Sequence, residues 1–85
     1  IPQRDPRYLR RNALLVLGNI GIAESEKVQF ILMRYLENAD SMLRSYAVWT
    51  AKRLGLTNLL TGMENDGSED VQRELALQVR QVEKR

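Results

Sequence analysis

Basic and aromatic side chains carry the most evident chemistry in this sequence of 85 residues. Guanidinium and ammonium groups bind phosphates, and tyrosine and tryptophan rings stack on unpaired bases. Side chains of these types, with one amide, are the candidates for contact with a nucleic acid: Arg7, Arg10, Arg11, Asn12, Arg44, Tyr46, Lys52 and Arg53. Tyr8 and Trp49 are further stacking candidates. The alternatives to a binding role are a solvated basic face for the cations and, for Trp49, packing between helices.

Missing residue types limit the catalysis that this chain can perform. It contains no cysteine and no histidine. This excludes disulfides, thiolate metal sites, an iron–sulfur cluster and a cysteine nucleophile, and it removes the commonest general base. The acidic residues match no calcium-loop spacing. We therefore expect no metal site and no catalysis by this chain alone.

Charge is distributed unevenly along the chain. The net charge of +2 is too small to indicate nucleic-acid binding by itself. However, residues 1–22 carry +3, 23–40 carry −2, 41–55 carry +3, 56–70 carry −4 and 71–85 carry +2. The sign therefore alternates from one segment to the next.

These segments coincide with predicted helices, because apolar residues recur at three- and four-residue steps and prolines occur only near the start. The sequence predicts one all-α domain, residues 1–85, of about five antiparallel helices. The expected helices run from Asp5-Pro6 to a left-handed glycine near 18–21, from 25 to 37, from 40 to 55, from 57 to 64 and from 69 to 83. Either Asp66, in a capping box with Glu69, or Ser68 is expected to cap the last of them.

An internal repeat is visible in the same pattern. The segment from Leu9 to Leu14 aligns with the segment from Leu43 to Val48, so that Leu9 falls on Leu43. A weaker third copy begins at Val71. The interval between the second and third copies is shorter than the interval between the first and second. Repeats at this spacing with two helices each predict a short α-solenoid.

The repeated motif, an apolar residue and arginine followed by alanine and then Leu-Gly, resembles the HEAT repeat in its short phycobilisome-lyase-like variety. The resemblance implies that helices one, three and five line a concave inner face, which the charge tally would make basic. It also implies a structural alternative for Arg10 and Arg44, namely pairing with an aspartate between repeats and capping carbonyls. The second repeat departs from the pattern, because Ala39 aligns with Asp5 and Asp40 comes one place late.

A narrower resemblance rests on the segment from Asp5 to Asn19 and on the segment from Leu43 to Trp49. Both are similar to the carboxy-terminal HEAT-like region of the epoxyqueuosine reductase family, whose members usually have histidine where Tyr46 stands. These iron–sulfur and cobalamin enzymes complete queuosine in the tRNA anticodon. The resemblance implies a cytoplasmic parent with upstream catalytic domains that hold 4Fe-4S clusters and cobalamin. This chain would be an excised module that contacts the anticodon stem-loop.

A generic protein-interaction scaffold is the alternative function, since HEAT-like solenoids bind many partners. The first predicted helix favours some association of its own, because its apolar residues lie on more than one face. They are Leu9, Leu14, Leu15, Val16, Leu17, Ile20 and Ile22. We expect weak self-association or docking onto the upstream domain.

Overall fold

The computed structural model describes residues 6–77, and all regular structure within them is helical. The α-helices are α1 (Pro6–Ile20), α2 (Glu26–Leu36), α3 (Ser41–Arg53) and α4 (Glu69–Ala76). Two 3₁₀ turns, Thr57–Leu60 and Met63–Asn65, connect α3 to α4. The predicted all-α class is therefore confirmed for the described part of the chain.

Side-chain caps fix the starts of three helices. Ser25, Asp40 and Ser68 each accept a hydrogen bond from a backbone N–H two or three residues further on. These bonds satisfy donors that the first helical turn leaves without partners. The predicted starts of α2 and α3 are thus confirmed, and α4 is capped by Ser68 rather than by Asp66.

The end of α3 is a Schellman motif. Gly55 takes a left-handed conformation, with φ of 75°. Its N–H donates to the Lys52 carbonyl at 3.1 Å, and the Leu56 N–H donates to the Ala51 carbonyl at 2.7 Å. The predicted stop at Gly55 is confirmed.

The end of α1 differs from the prediction. The Gly21 N–H donates to the Leu17 carbonyl at 2.6 Å, so the helical hydrogen-bond pattern continues to this residue. Among the described residues, only Gly55 and Gly62 have positive φ. The expected left-handed glycine near 18–21 is therefore wrong.

The last two predicted helices are also shorter than expected. Gly62, with φ of 89°, divides the segment predicted as helix four, so that it forms two 3₁₀ turns instead of one α-helix. Extended backbone at Leu77, with φ of −75° and ψ of 145°, ends α4 after Ala76. The rest of the predicted fifth helix lies outside the described residues.

Helix α3 is the centre of the fold and packs against α1, α2 and α4. The apolar residues that recur at three- and four-residue steps in and directly after α3 are all buried: Leu43, Ala47, Val48, Ala51 and Leu54. Leu14 from α1, Leu32 and Leu36 from α2, and Val71 from α4 complete the contacts around it. The small Ala47 and Ala51 allow neighbouring helices to come close.

Two contacts join α1 closely to α3. The Trp49 ring packs on Gly18, where an added Cβ would lie 2.5 Å from a ring carbon. The buried Thr50 hydroxyl lies 2.9 Å from the Leu14 carbonyl oxygen of α1 and 2.9 Å from the Tyr46 carbonyl oxygen of its own helix. The predicted packing of Trp49 between helices is confirmed.

The outer side of α1 has no helical neighbour among residues 6–77. Leu9, Val16 and Ile20 are 61%, 55% and 74% exposed. Ala13 is exposed as well, and so is Ala76 in α4. The apolar surface on a second face of helix one is therefore observed.

Candidate nucleic-acid interface

The structure does not gather all the predicted contact residues on one surface. Arg10 and Arg11 are adjacent in sequence, but they lie on opposite flanks of α1 because successive helical residues are about 100° apart. Arg10 lines a groove between α1 and α2. Arg11 reaches the ring of Tyr46 on α3. Any single interface therefore includes only part of the predicted set.

Arg44 is engaged inside the protein. Its Nε lies 2.8 Å from Asp66 Oδ2 and its Nη2 lies 3.2 Å from Asp66 Oδ1, which is a bidentate pair. Its Nη1 donates to the carbonyls of Asn38 and Ala39 at 2.8 and 3.1 Å. The Arg44 and Asp66 side chains are only 19% and 14% exposed. This is the structural role that the HEAT resemblance implies for arginine at this position.

The pair also affects the titration of Asp66. Hydrogen bonding from Arg44, together with the Ser68 N–H, holds the pKa of the Asp66 carboxyl below its ordinary value. The carboxylate is therefore stabilised in its charged form, which in turn holds the Arg44 guanidinium in place.

The same pattern of hydrogen bonds precedes α3 and α4. When the third copy of the repeat is aligned with the second, Gln72 corresponds to Arg44. The Gln72 side chain donates to the backbone carbonyls at positions 63, 64 and 66, in the loop before α4. Asn38 and Asp66 correspond in the same alignment, and each accepts the N–H two residues ahead. Side chains at corresponding positions thus tie each loop to the helix that follows it.

Lys52 and Arg53 also make contacts within the chain. Lys52 Nζ donates to the carbonyls of Glu74, Leu75 and Leu77 at 2.5–2.7 Å, where it caps the carboxyl end of α4. Arg53 Nη2 donates to Asn19 Oδ1 at 3.2 Å and so links the end of α3 to the end of α1. Both cations stabilise the packing of helices around α3.

Arg7 joins the starts of α1 and α3. Its Nε lies 2.8 Å from Asp40 Oδ2, the carboxylate that also caps α3. The Arg7 side chain is 43% exposed and the Asp40 side chain is 28% exposed. Because the pair is partly solvated, its contribution to stability is small.

Arg11 lies between two aromatic rings. Its guanidinium carbon is 5.0 Å from the centroid of the Tyr8 ring and 5.9 Å from that of the Tyr46 ring. Its Nε and Nη2 donate to Asn12 Oδ1 at 3.4 and 3.2 Å. We call Tyr8, Arg11 and Tyr46 the cation–aromatic cluster. It brings together a phosphate-binding group and two stacking rings, and Tyr8 is 41% exposed.

The cluster borders a groove of about 460 Å³ between α1, α3 and α4. We call it the inner groove, and its lining is Leu15, Met42, Ser45, Tyr46, Trp49, Asp70, Arg73 and Glu74. Arg73 pairs with Asp70 at 3.2 Å. Burial raises the pKa of the Glu74 carboxyl above its ordinary value, against the opposing effect of Lys52 and Arg73.

The inner groove therefore carries both signs of charge. This differs from the expected basic inner face, and the physical reason is the position of α4. Its first turn contributes Asp70, and its second turn contributes Glu74. Three of the four basic residues of 71–85 come after Leu77 and lie outside the described residues.

Sequence reasoning missed two residues that share the α1–α2 groove with Arg10. Phe30 is 59% exposed, and the Arg34 guanidinium carbon lies 5.9 Å from the centroid of its ring. A signal was present, because the four-residue spacing of Phe30 and Arg34 places both on one side of a helix.

The residues that commonly bind metals are not clustered in the part of the chain that the structure describes. Within residues 6–77, no group of three or more aspartate or glutamate side chains comes together in a way that could hold a metal ion, and the chain has no histidine or cysteine. With no cysteine in the whole chain, its donor set does not fit an iron–sulfur cluster. None of the described helices has the length and apolar character needed to cross a bilayer.

No protein-family model, curated protein or solved structure matches this chain.

Proposed function

We propose that this chain is a tRNA-contacting module of HEAT-like type, part of an epoxyqueuosine-reductase-like protein and not catalytic by itself. The observation that carries the proposal is the cation–aromatic cluster at the edge of the inner groove. In such a site, the guanidinium of Arg11 binds a backbone phosphate while Tyr8 and Tyr46 stack on unpaired bases. An anticodon loop presents both groups together.

Two features support the HEAT-like part of this proposal. Helices α1 and α4 correspond to the predicted helices one and five, and both pack on α3. This agrees with an inner layer formed by the predicted helices one, three and five. The hydrogen bonds that precede α3 recur at the corresponding positions before α4. Both features are expected where successive helical units stack on each other.

Within this proposal, the contacts described above favour a smaller set of residues for binding RNA. Arg11, Tyr46 and the further stacking candidate Tyr8 form the centre of the proposed contact. Arg7 lies at its edge with 43% of its side chain exposed. Arg44 and Lys52 support it indirectly, because they hold α3 and α4 in position.

Fluorescence anisotropy with a labelled anticodon stem-loop tests this function. Two or three phosphate contacts predict that affinity falls about sevenfold to about twentyfold between about 50 and about 200 mM salt. Arg11→Glu should weaken binding at least about tenfold. The matched control is Lys27→Glu, an exposed cation of α2 outside the inner groove. Absence of binding at the lower salt, or an equal loss in both variants, would refute the proposal.

A protein-interaction scaffold is the second candidate function, and the outer side of α1 favours it. Leu9, Val16 and Ile20 line an apolar groove of about 420 Å³ there. Exposed apolar patches of this kind mark contacts between proteins. Binding of this type would show a weaker dependence on salt than RNA binding does.

A further inference from the structure

The groove between α1 and α2 has features that the RNA contact does not use. Its volume is about 500 Å³, and its lining is Arg10, Phe30, Ile31, Arg34, Tyr35 and Asn38. Both charged residues in this lining are arginines, and no carboxylate is among them. Phe30 and Ile31 are 59% and 37% exposed, so the groove also offers apolar surface to a ligand.

The two arginines are available to a partner. Among the described residues, neither Arg10 nor Arg34 forms an ion pair. The guanidinium carbon of Arg34 lies 5.9 Å from the centroid of the Phe30 ring. Arg10 is exposed on α1, facing α2 across the groove. This arrangement differs from that of Arg44, whose guanidinium is satisfied inside the fold.

We propose that the α1–α2 groove is a docking site for an acidic amphipathic peptide segment of a partner protein. Carboxylates of the peptide pair with Arg10 and Arg34, and its aliphatic side chains pack on Phe30 and Ile31. An amphipathic helix laid in a groove presents charged and apolar groups in this combination. Charge complementarity selects an acidic rather than a basic segment.

A peptide explains the lining better than a nucleic acid does. Ile31 has no ring on which a base could stack, but it packs well against leucine or isoleucine. This site lies on the opposite flank of α1 from the cation–aromatic cluster, so it does not depend on the proposed RNA contact.

The test uses the whole chain and a fluorescein-labelled peptide of about twelve residues, long enough for a helix to form on docking. The peptide presents leucine on one face and glutamate on the other. A second peptide carries glutamine in place of every glutamate. We expect the acidic peptide to bind at least about tenfold more tightly than the glutamine peptide, since each charge pair adds to affinity.

Protein variants locate the binding. Arg34→Glu and Phe30→Ala should each weaken binding of the acidic peptide by about fivefold or more, because one removes the charge pairing and the other removes apolar contact. Arg73→Glu is the matched control, since Arg73 is an exposed cation on α4, away from this groove. Circular dichroism confirms that each variant keeps the helical content of the parent.

Three results would overturn the proposal. One is a failure of the acidic peptide to bind. Another is an equal loss of binding in Arg34→Glu and Arg73→Glu. The third is displacement of the peptide by an oligouridine that itself requires Phe30 and Arg34, because this would assign the groove to nucleic acid.

Discussion

Arg44 shows how a basic residue that was predicted to contact a nucleic acid can serve the fold. It bonds to Asp66 from 22 residues away and to two carbonyls of the preceding loop. Arg10, at the corresponding position of the first repeat, is exposed in the α1–α2 groove. Two arginines that are equivalent in sequence thus have different roles, because only one of them has an aspartate within reach among the described residues.

Arg44→Ala should lower the free energy of unfolding by about 2 kcal/mol, because it leaves a largely buried carboxylate and two carbonyls without their donor. Arg10→Ala, an exposed control, should change the free energy of unfolding by less than about 0.5 kcal/mol. Urea denaturation followed by circular dichroism measures both. Equal effects in the two variants would contradict the structural role of Arg44.

Asp66 predicts a loss of stability in acid. Its pKa is lowered in the folded protein, so its stabilising contribution is complete above the ordinary carboxyl pKa of 3.8 and is lost as the pH falls through the folded value. Asp66→Asn should therefore destabilise the protein at neutral pH and remove part of the decline below pH 3.8. Unfolding curves at a series of pH values measure this, and an unchanged acid decline in the variant would contradict it.

Helix α3 was the element best defined by sequence. Its apolar spacing, its aspartate cap and its terminal glycine all favoured the same boundaries, and the five apolar residues at helical spacing are all buried. The segment from 57 to 65 had no comparable agreement between signals. A left-handed Gly62 interrupts it, and a pattern of apolar residues alone does not distinguish one α-helix from two 3₁₀ turns.

The candidate site was only partly predictable for a related reason. Residue types indicated cations and aromatic rings, and helical geometry could have separated Arg10 from Arg11. Arg44 contacts Asp66 and Lys52 contacts the Glu74 carbonyl, and both partners are distant in sequence. These internal contacts therefore depend on how α4 and the turns before it pack on α3. The acidic residues in the inner groove follow from the same packing.

Gly18 marks the closest contact between α1 and α3. Alanine usually stabilises a helix interior by about 1 kcal/mol relative to glycine. Here, however, the added Cβ would lie 2.5 Å from the Trp49 ring. Gly18→Ala should therefore destabilise the protein, by about 1–3 kcal/mol, because the two helices must move apart.

Gly67→Ala is the control for this substitution, since nothing lies within 4 Å of its added Cβ. Its effect on stability should stay within about 0.5 kcal/mol. Thermal unfolding of the two variants gives the comparison. A stabilised Gly18→Ala protein would show that α1 and α3 are not packed as closely as described.

Residues 6–77 present surfaces of different chemical character. The inner groove combines aromatic rings with both signs of charge, the α1–α2 groove combines apolar surface with arginines, and the outer side of α1 is apolar. The proposed RNA contact and the proposed protein contacts therefore use separate surfaces and do not exclude each other.

The outer side of α1 predicts weak self-association. Val16→Glu places a charge in the middle of the apolar surface and should shift the protein towards monomer. Met33→Glu, at a residue of α2 that is 51% exposed, is the matched control and should leave association unchanged. Sedimentation over a wide range of concentration measures both. A parent protein that stays monomeric throughout would contradict this prediction.

Trp49 provides the most direct test of the proposed RNA contact. It is the single tryptophan of the chain, and it lines the inner groove beside Tyr46. Titration with an unlabelled anticodon stem-loop should quench its emission along a saturable curve, with the same midpoint as the anisotropy of a labelled stem-loop, because bases enter the groove that it lines. Binding detected by anisotropy without any change in Trp49 emission would contradict the account, since the RNA would then be bound at another surface.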